Sequence, residues 1–203
     1  MRPTLLYLPI VGVMCGGEST FRRFSADASY QNSPLELGRA IAELGWNLLT
    51  GGGTGAMRAV TEAYNQAPNR EKGVCVSLAL LPENNPNIAG ADYAIRTPLK
   101  ATEWDPPKGY LVGNSRNHVN VRLADLVVGL PGGPGTLSEL TLAVQHGKPT
   151  IAFLRDEADR IGNDRIAAAE LRKLGVEIAD TIDDIERFLK KNRPKPTRLV
   201  KHC

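Results

Sequence analysis

The chain has 203 residues, of which 42% are apolar, 23% charged and 5% aromatic, a length that suits one domain and a composition that excludes a disordered chain. Its 20 glycines are clustered rather than periodic, which excludes a collagen-like repeat, and no apolar run reaches the roughly 18–20 residues of a membrane-spanning helix. The net charge of +3 is uneven: residues 190–203 hold six of the 25 Lys/Arg and no acid, leaving 19 basic against 22 acidic residues in the body, so nucleic acid is not an expected partner.

Residues 5–13 (LLYLPIVGV) read as a first buried strand rather than a secretory signal, because the run enters a Gly turn with no cleavage site after it; a cytoplasmic protein is expected. The polar stretch that follows is loop or partial helix. Ser33, Pro34 and Glu36 have the spacing of a helix start, with Ser33 as cap and Pro34 in the first position. Leu37, Ala40, Ile41 and Leu44 give that helix an apolar face, and Gly45 ends it. A strand over 47–50, a helix over 56–65 and a strand over 74–81 come next, then a turn-rich loop with Asn84, Asn85 and Asn87. A short strand is expected over 93–96, a long loop over 97–114 and a helix over 117–123. Beyond it the pattern gives strand 126–130, helix 136–146 ended by Gly147, strand 150–154, helix 161–174, strand 176–179 and helix 182–191, capped by Asp180 or Thr181.

Short, almost continuously apolar strands alternating with helices are the pattern of a parallel sheet covered on both faces. The expected fold is therefore a single α/β domain over 1–190, a doubly wound, Rossmann-like parallel sheet, with a basic C-terminal tail over 191–203. Ligand sites belong at the carboxyl ends of its strands.

Three of those strand ends carry Gly-rich turns: CGGES at 15–19, TGGGTGAM at 50–57 and PGGPGTLSE at 131–139. Glycine lets backbone approach a ligand, and the N–H groups of a helix start favour an anion, so together the turns point to a bound phosphate compound. No turn is followed by Gly-Lys-Ser/Thr, and the first lacks the GxGxxG fingerprint, which removes the main support for P-loop and dinucleotide enzymes. The candidate phosphate- and nucleotide-binding residues are Gly16, Gly17, Gly51, Gly52, Gly53, Thr54, Gly55, Met57, Gly132, Gly133, Gly135 and Thr136. Glu139, three residues beyond Thr136, is a carboxylate near an anion site. It serves either the other end of the substrate or the helix dipole.

PGGPGTLSE resembles the PGGxGTxxE motif of the LOG (Lonely Guy) family, also labelled lysine decarboxylase-like, and the resemblance runs over residues 8–154. TGGGTGAMRAV is similar to the family's GGGxxGLMGxV segment, and CGGES to its first-strand turn. Arg116 stands 15 residues before Pro131, where the family carries an Arg-Lys pair. The resemblance implies a phosphoribohydrolase that cleaves the N-glycosidic bond of a nucleoside 5′-monophosphate, with Arg116 and Glu139 as catalytic residues and no cofactor. It also implies a homo-oligomer; the apolar helices around 56–64 and 136–146 have that contact or burial in the chain's own core as their alternatives.

Asn117 replaces the family Lys, Arg58 replaces the second Gly of the GLMG segment, and LTLAVQHGKPTIAFL follows the motif. These features resemble the molybdenum cofactor carrier proteins, which implies the alternative of a non-catalytic binder of a pterin phosphate or nucleotide. The two readings place the ligand on the same turns. Trp104 and Tyr110 could stack on its ring or pin the long loop. His118 has a ligand role or a solvated helix position as its alternatives, and Lys148 sits in a Gly-Lys-Pro turn with nothing to mark it as a Schiff-base lysine. Cys15, Cys75 and Cys203 form no CxxC pair, and His118, His146 and His202 have no metal-ligand spacing.

Overall fold

The computed structural model describes residues 8–24, 28–68, 70, 73–80, 90–99, 104–105, 110–111, 115–155, 160–161 and 166–195. Its strands are β1 (Ile10–Met14), β2 (Asn47–Thr50), β3 (Cys75–Leu80), β4 (Tyr93–Thr97), β5 (Trp104–Asp105), β6 (Tyr110–Leu111), β7 (Leu126–Gly129), β8 (Thr150–Phe153), β9 (Arg160–Ile161), β10 (Ile166–Ala167) and β11 (Glu177–Ala179). Its helices are α1 (Glu18–Phe24), α2 (Ala28–Glu43), α3 (Ala56–Gln66), α4 (Arg116–Leu123), α5 (Pro134–Gln145), α6 (Ala168–Leu174) and α7 (Ile182–Lys191).

Seven strands form one sheet in the order β11-β8-β7-β1-β2-β3-β4, and every adjacent pair is parallel. This is the doubly wound α/β architecture expected. From β1 the chain winds outward through β2, β3 and β4, then returns to build β7, β8 and β11 on the other side. The reversal lies between β1 and β7, the position at which such sheets hold their ligands.

Successive strand residues face opposite sides of the sheet, and each side has its own core. Val11, Val13, Leu48 and Val128 pack with Leu37 and Ile41 of α2, Val60 and Tyr64 of α3, and Ile185 and Phe188 of α7. Met14, Leu49 and Val127 pack with Val121 of α4, Leu137 and Leu140 of α5, and Leu171 of α6. The apolar residues of α3 and α5 thus belong to the chain's own interior.

The helix ends read at Gly45 and Gly147 fall at left-handed φ angles of 67° and 65°, and α7 starts on Thr181 with a capping box closed by Asp184. Three expectations need correction. Within the stretch expected to be loop or partial helix, residues 18–24 form a helix, but α2 begins at Ala28 rather than at Pro34. Pro34 has no N–H for the Tyr30 carbonyl one turn back; the Ser33 hydroxyl donates to that carbonyl instead, at 3.2 Å. Ser33 therefore repairs the interior of a helix rather than capping its start. The helix expected over 161–174 begins only at Ala168, after the antiparallel pair β9–β10. The stretch read as a loop over 97–114 contains a second antiparallel pair, β5–β6.

Candidate functional site

The Gly turns after β1, β2 and β7 are tied to one another by hydrogen bonds. Gly16 N–H donates to Pro131 O at 3.2 Å, and Ala56 N–H donates to Gly16 O at 3.2 Å. Glu18 N–H donates to Thr54 Oγ1 at 3.4 Å. Gly55 makes this junction possible: its φ is 66°, and a Cβ there would lie 2.6 Å from the Gly17 carbonyl carbon.

A cavity of about 220 Å³ opens over this junction. Gly16, Gly17, Gly51, Met57, Arg116, Gly133, Gly135, Thr136 and Glu139 all line it. The other sequence candidates, Gly52, Gly53, Thr54, Gly55 and Gly132, are not among its lining residues. Two of them make room for it: a Cβ on Gly53 would fall 2.2 Å from Met57 Cε, and one on Gly132 would fall 2.0 Å from Thr136 Oγ1. The Thr54 hydroxyl is turned to the Glu18 backbone.

The start of α5 has the features that favour an anion. Gly133 is its N-cap, Pro134 opens it, and no side chain caps it. The first N–H groups of a helix have no acceptor within it, so those of Gly135 and Thr136 are available at the cavity, at the positive end of the helix dipole. Arg116 opens α4, whose N-cap is Ser115. Its Nη1 donates to Gly51 O at 3.0 Å, and its buried Nε has no partner. The arginine is thus oriented by the turn after β2 and keeps donor capacity for a ligand.

Glu139 stands on α5 one turn beyond Thr136 and is only 7% exposed. Asn120 Nδ2 donates to Glu139 Oε1 at 2.9 Å. Burial raises the Glu139 pKa from 4.5 to about 7; the Asn120 hydrogen bond and the charge of Arg116 work against that rise without overcoming it. Near neutral pH Glu139 can therefore take up or release a proton. Cys15, at the end of β1, is buried beside it; burial first and the Glu139 charge second push its thiol well up, so it is an inert wall of the cavity.

His118 lies off the cavity, 3.0 Å from Ser115 Oγ and with its ring facing His146. Lys148 Nζ donates to Ala124 O at 2.7 Å, a structural tie at the end of α4. Asn84, Asn85 and Asn87, and the side chains of Trp104 and Tyr110, lie outside the described residues. Among the described residues no group of three or more His, Cys, Asp or Glu is placed to hold a metal, and no helix is long and apolar enough to cross a membrane.

Sequence reasoning missed Thr20 and Val13, which line the cavity, and Asn120 behind Glu139. Asn120 was detectable in principle, since it stands four residues after Arg116 and so shares a helix face with it. Asn117, noted only as a departure from a motif, lines the cavity, is buried, and donates to Ser138 Oγ at 3.2 Å.

A doubly wound sheet whose reversal point brings an uncapped helix start, an oriented arginine and a buried carboxyl to one cavity defines a Rossmann-like α/β protein. The family model described as the SLOG cluster4 family matches residues 8–185. The chain belongs to that family, within the LOG-like superfamily, and shares features of the molybdenum cofactor carrier proteins.

The molybdenum cofactor binding protein of the phototrophic bacterium Rippkaea orientalis superimposes with a TM-score of 0.66 at 30% identity, covering 92% of this chain and 98% of that one. The molybdenum cofactor carrier protein of Chlamydomonas reinhardtii gives a TM-score of 0.67 at 23% identity over 93% of this chain and 100% of that one, a likeness of fold. The cytokinin riboside 5′-monophosphate phosphoribohydrolase LOG of Oryza sativa subsp. japonica is 32% identical over 118 residues, 56% of this chain. The chain matches 41% of that enzyme's length.

Proposed function

We propose that this protein hydrolyses the N-glycosidic bond of a nucleoside 5′-monophosphate, giving the free base and ribose 5-phosphate. The observation that carries this reading is that Arg116, Glu139 and the uncapped start of α5 line one cavity. The phosphate binds the Gly135 and Thr136 N–H groups, and the ribose extends along α5 toward Glu139. As the bond to the base breaks, positive charge grows on the ribose ring. The Glu139 carboxylate stabilises that charge and accepts a proton from the attacking water, while the base leaves with the bonding electrons and takes up a proton. Glycoside hydrolysis uses carboxylates in the same way. Arg116, fixed by Gly51 O, orients the ribose hydroxyls or the phosphate. A buried carboxylate is hard to explain in a site that only holds an anion, because the two repel; in a hydrolase it meets developing positive charge.

A second reading has specific support: a carrier that holds a pterin phosphate or a nucleotide on the same turns without turnover. Asn117 puts a neutral amide committed to Ser138 where the phosphoribohydrolase motif carries a cation. The match to the Rippkaea orientalis protein also spans nearly the whole chain. In either reading the protein is proposed to be a homo-oligomer.

The two separate in one assay. Purified protein is incubated with AMP, and adenine and ribose 5-phosphate are quantified beside the Glu139→Gln and Arg116→Ala variants. Hydrolysis predicts release by the parent protein and a fall of about 10²–10⁴-fold in each variant. Since the working form is the carboxylate, the rate should rise with pH through about 7 and level off above it. A folded parent protein that binds AMP or a pterin phosphate but releases no base contradicts the hydrolase and leaves the carrier.

A further inference from the structure

Asn120 has no part in the chemistry so far. Its side chain is fully buried in the contact between α4 and α5, and it does not line the cavity. Its amide is half used: Nδ2 donates to Glu139 Oε1 at 2.9 Å, and Oδ1 is buried with no partner. A buried acceptor without a donor destabilises the fold, and an apolar side chain of similar shape would fill the same space without that penalty. Packing therefore does not explain an amide here. Its one side-chain hydrogen bond among the described residues goes to the carboxyl that lines the cavity.

We propose that Asn120 is a positioning residue for Glu139: from behind the cavity wall its amide holds one carboxylate oxygen and leaves the other directed at the ligand. The inference rests on the reading of Glu139 as the group that faces the ribose. The donor end of the amide faces the carboxyl oxygen, and that bond is stronger to the charged form, so Asn120 also favours the ionised form of Glu139. Three groups act on that carboxyl. Arg116 from α4 favours its charge, Asn120 from α4 does the same, and Cys15 from the end of β1 stays a neutral thiol. Arg116 is also committed to Gly51 O, so Asn120 is the only group among the described residues whose side-chain hydrogen bonding is given to Glu139 alone.

The test reads Glu139 directly and does not depend on turnover. Protein labelled with ¹³C at glutamate carboxyls is titrated by NMR, with Glu139→Gln to assign the signal. Asn120→Leu keeps the shape and removes the donor; Asn120→Asp keeps the shape and replaces the donor by an acceptor. The Glu139 midpoint should rise by about one to two pH units in the Leu variant and further in the Asp variant. If the Leu variant does not fold, the Asp variant carries the test. An unchanged midpoint in a folded variant overturns the assignment, whatever the protein's activity. A raised midpoint in a protein that does not hydrolyse AMP upholds Asn120 as the partner of Glu139 and removes the hydrolase reading instead. Where AMP is turned over, the acid limb of the rate profile should move up with the NMR midpoint while KM stays within about twofold, a split that loss of packing alone would not produce.

Discussion

Glu139 is both the proposed chemical centre of the cleft and a liability for the fold, and the same burial underlies both. Raising a carboxyl pKa from 4.5 to about 7 means that the folded state holds the proton more tightly than the unfolded chain does. The stabilisation this gives is fully present below pH 4.5 and is lost as pH rises through 7, a change of about 3 kcal/mol. Glutamine has the same shape and no proton to lose. Glu139→Gln should therefore match the parent protein's stability near pH 4 and exceed it by up to about 3 kcal/mol at pH 8, measured by urea unfolding at the two pH values. A difference that does not change with pH would contradict the burial assigned to this carboxyl. At this scale the motif resemblance singled out Arg116, Glu139 and the glycines around them by their spacing, and the structure brings Arg116, Glu139, Gly51, Gly133 and Gly135 to one cavity. Helix spacing puts Asn120 on the face of Arg116, but its bond to Glu139, like the turned-away hydroxyl of Thr54, was not legible. Each is defined by a hydrogen bond across the fold, to α5 in one case and to the α1 start in the other, and no local pattern encodes such a partner.

Elements place these residues by their ends. The cleft is made where β1, β2 and β7 stop and α3, α4 and α5 start, and the glycines at those joints do two different jobs. Gly55 has a positive φ and no room for a side chain against the Gly17–Glu18 backbone. Gly135 lies in the first turn of α5, and a Cβ there would meet nothing within 4 Å. Gly55→Ala should lower stability by at least about 2 kcal/mol. Gly135→Ala should leave stability unchanged or raise it by up to about 1 kcal/mol while weakening phosphate binding at the cleft. Thermal melts and titration with ribose 5-phosphate distinguish the two; equal stability losses would mean that the joint at Gly55 does not constrain the fold as its geometry requires.

The elements that read correctly from sequence, such as β2 at 47–50 and α7 at 182–191, have a complete local signal, apolar spacing with a cap or a Gly stop. Those that did not read correctly have a misleading one. Ile161, Ala168 and Leu171 are all buried and stand seven and three residues apart, the spacing of one helix face, although β9 and β10 intervene. Ser33-Pro34 has the composition of a helix start, and only the Tyr30 carbonyl, filled by the Ser33 hydroxyl, shows why the helix runs through it.

At the scale of the whole molecule, strand order turns separated segments into one site. The turn after β1 is the hinge of the arrangement, since β2 lies on one side of it and β7 on the other, and Gly16 bonds to both neighbouring turns through its N–H and its carbonyl. Residues from positions 16, 51, 116 and 139 meet there because the sheet reverses direction of growth at that point. The sequence pattern anticipated a parallel sheet with ligands at its carboxyl edge. It could not give the order of the strands, which depends on long-range pairing, and so could not show that Arg116 and Glu139 face the same cavity. The measurement that tests this arrangement most directly is a crystal structure of the Glu139→Gln variant with AMP. The phosphate should lie within hydrogen-bonding distance of the Gly135 and Thr136 N–H groups, with the bond between ribose and base beside residue 139 and Arg116 on the same ligand. AMP bound outside this cleft, or bound in it with its glycosidic bond turned away from residue 139, would contradict it.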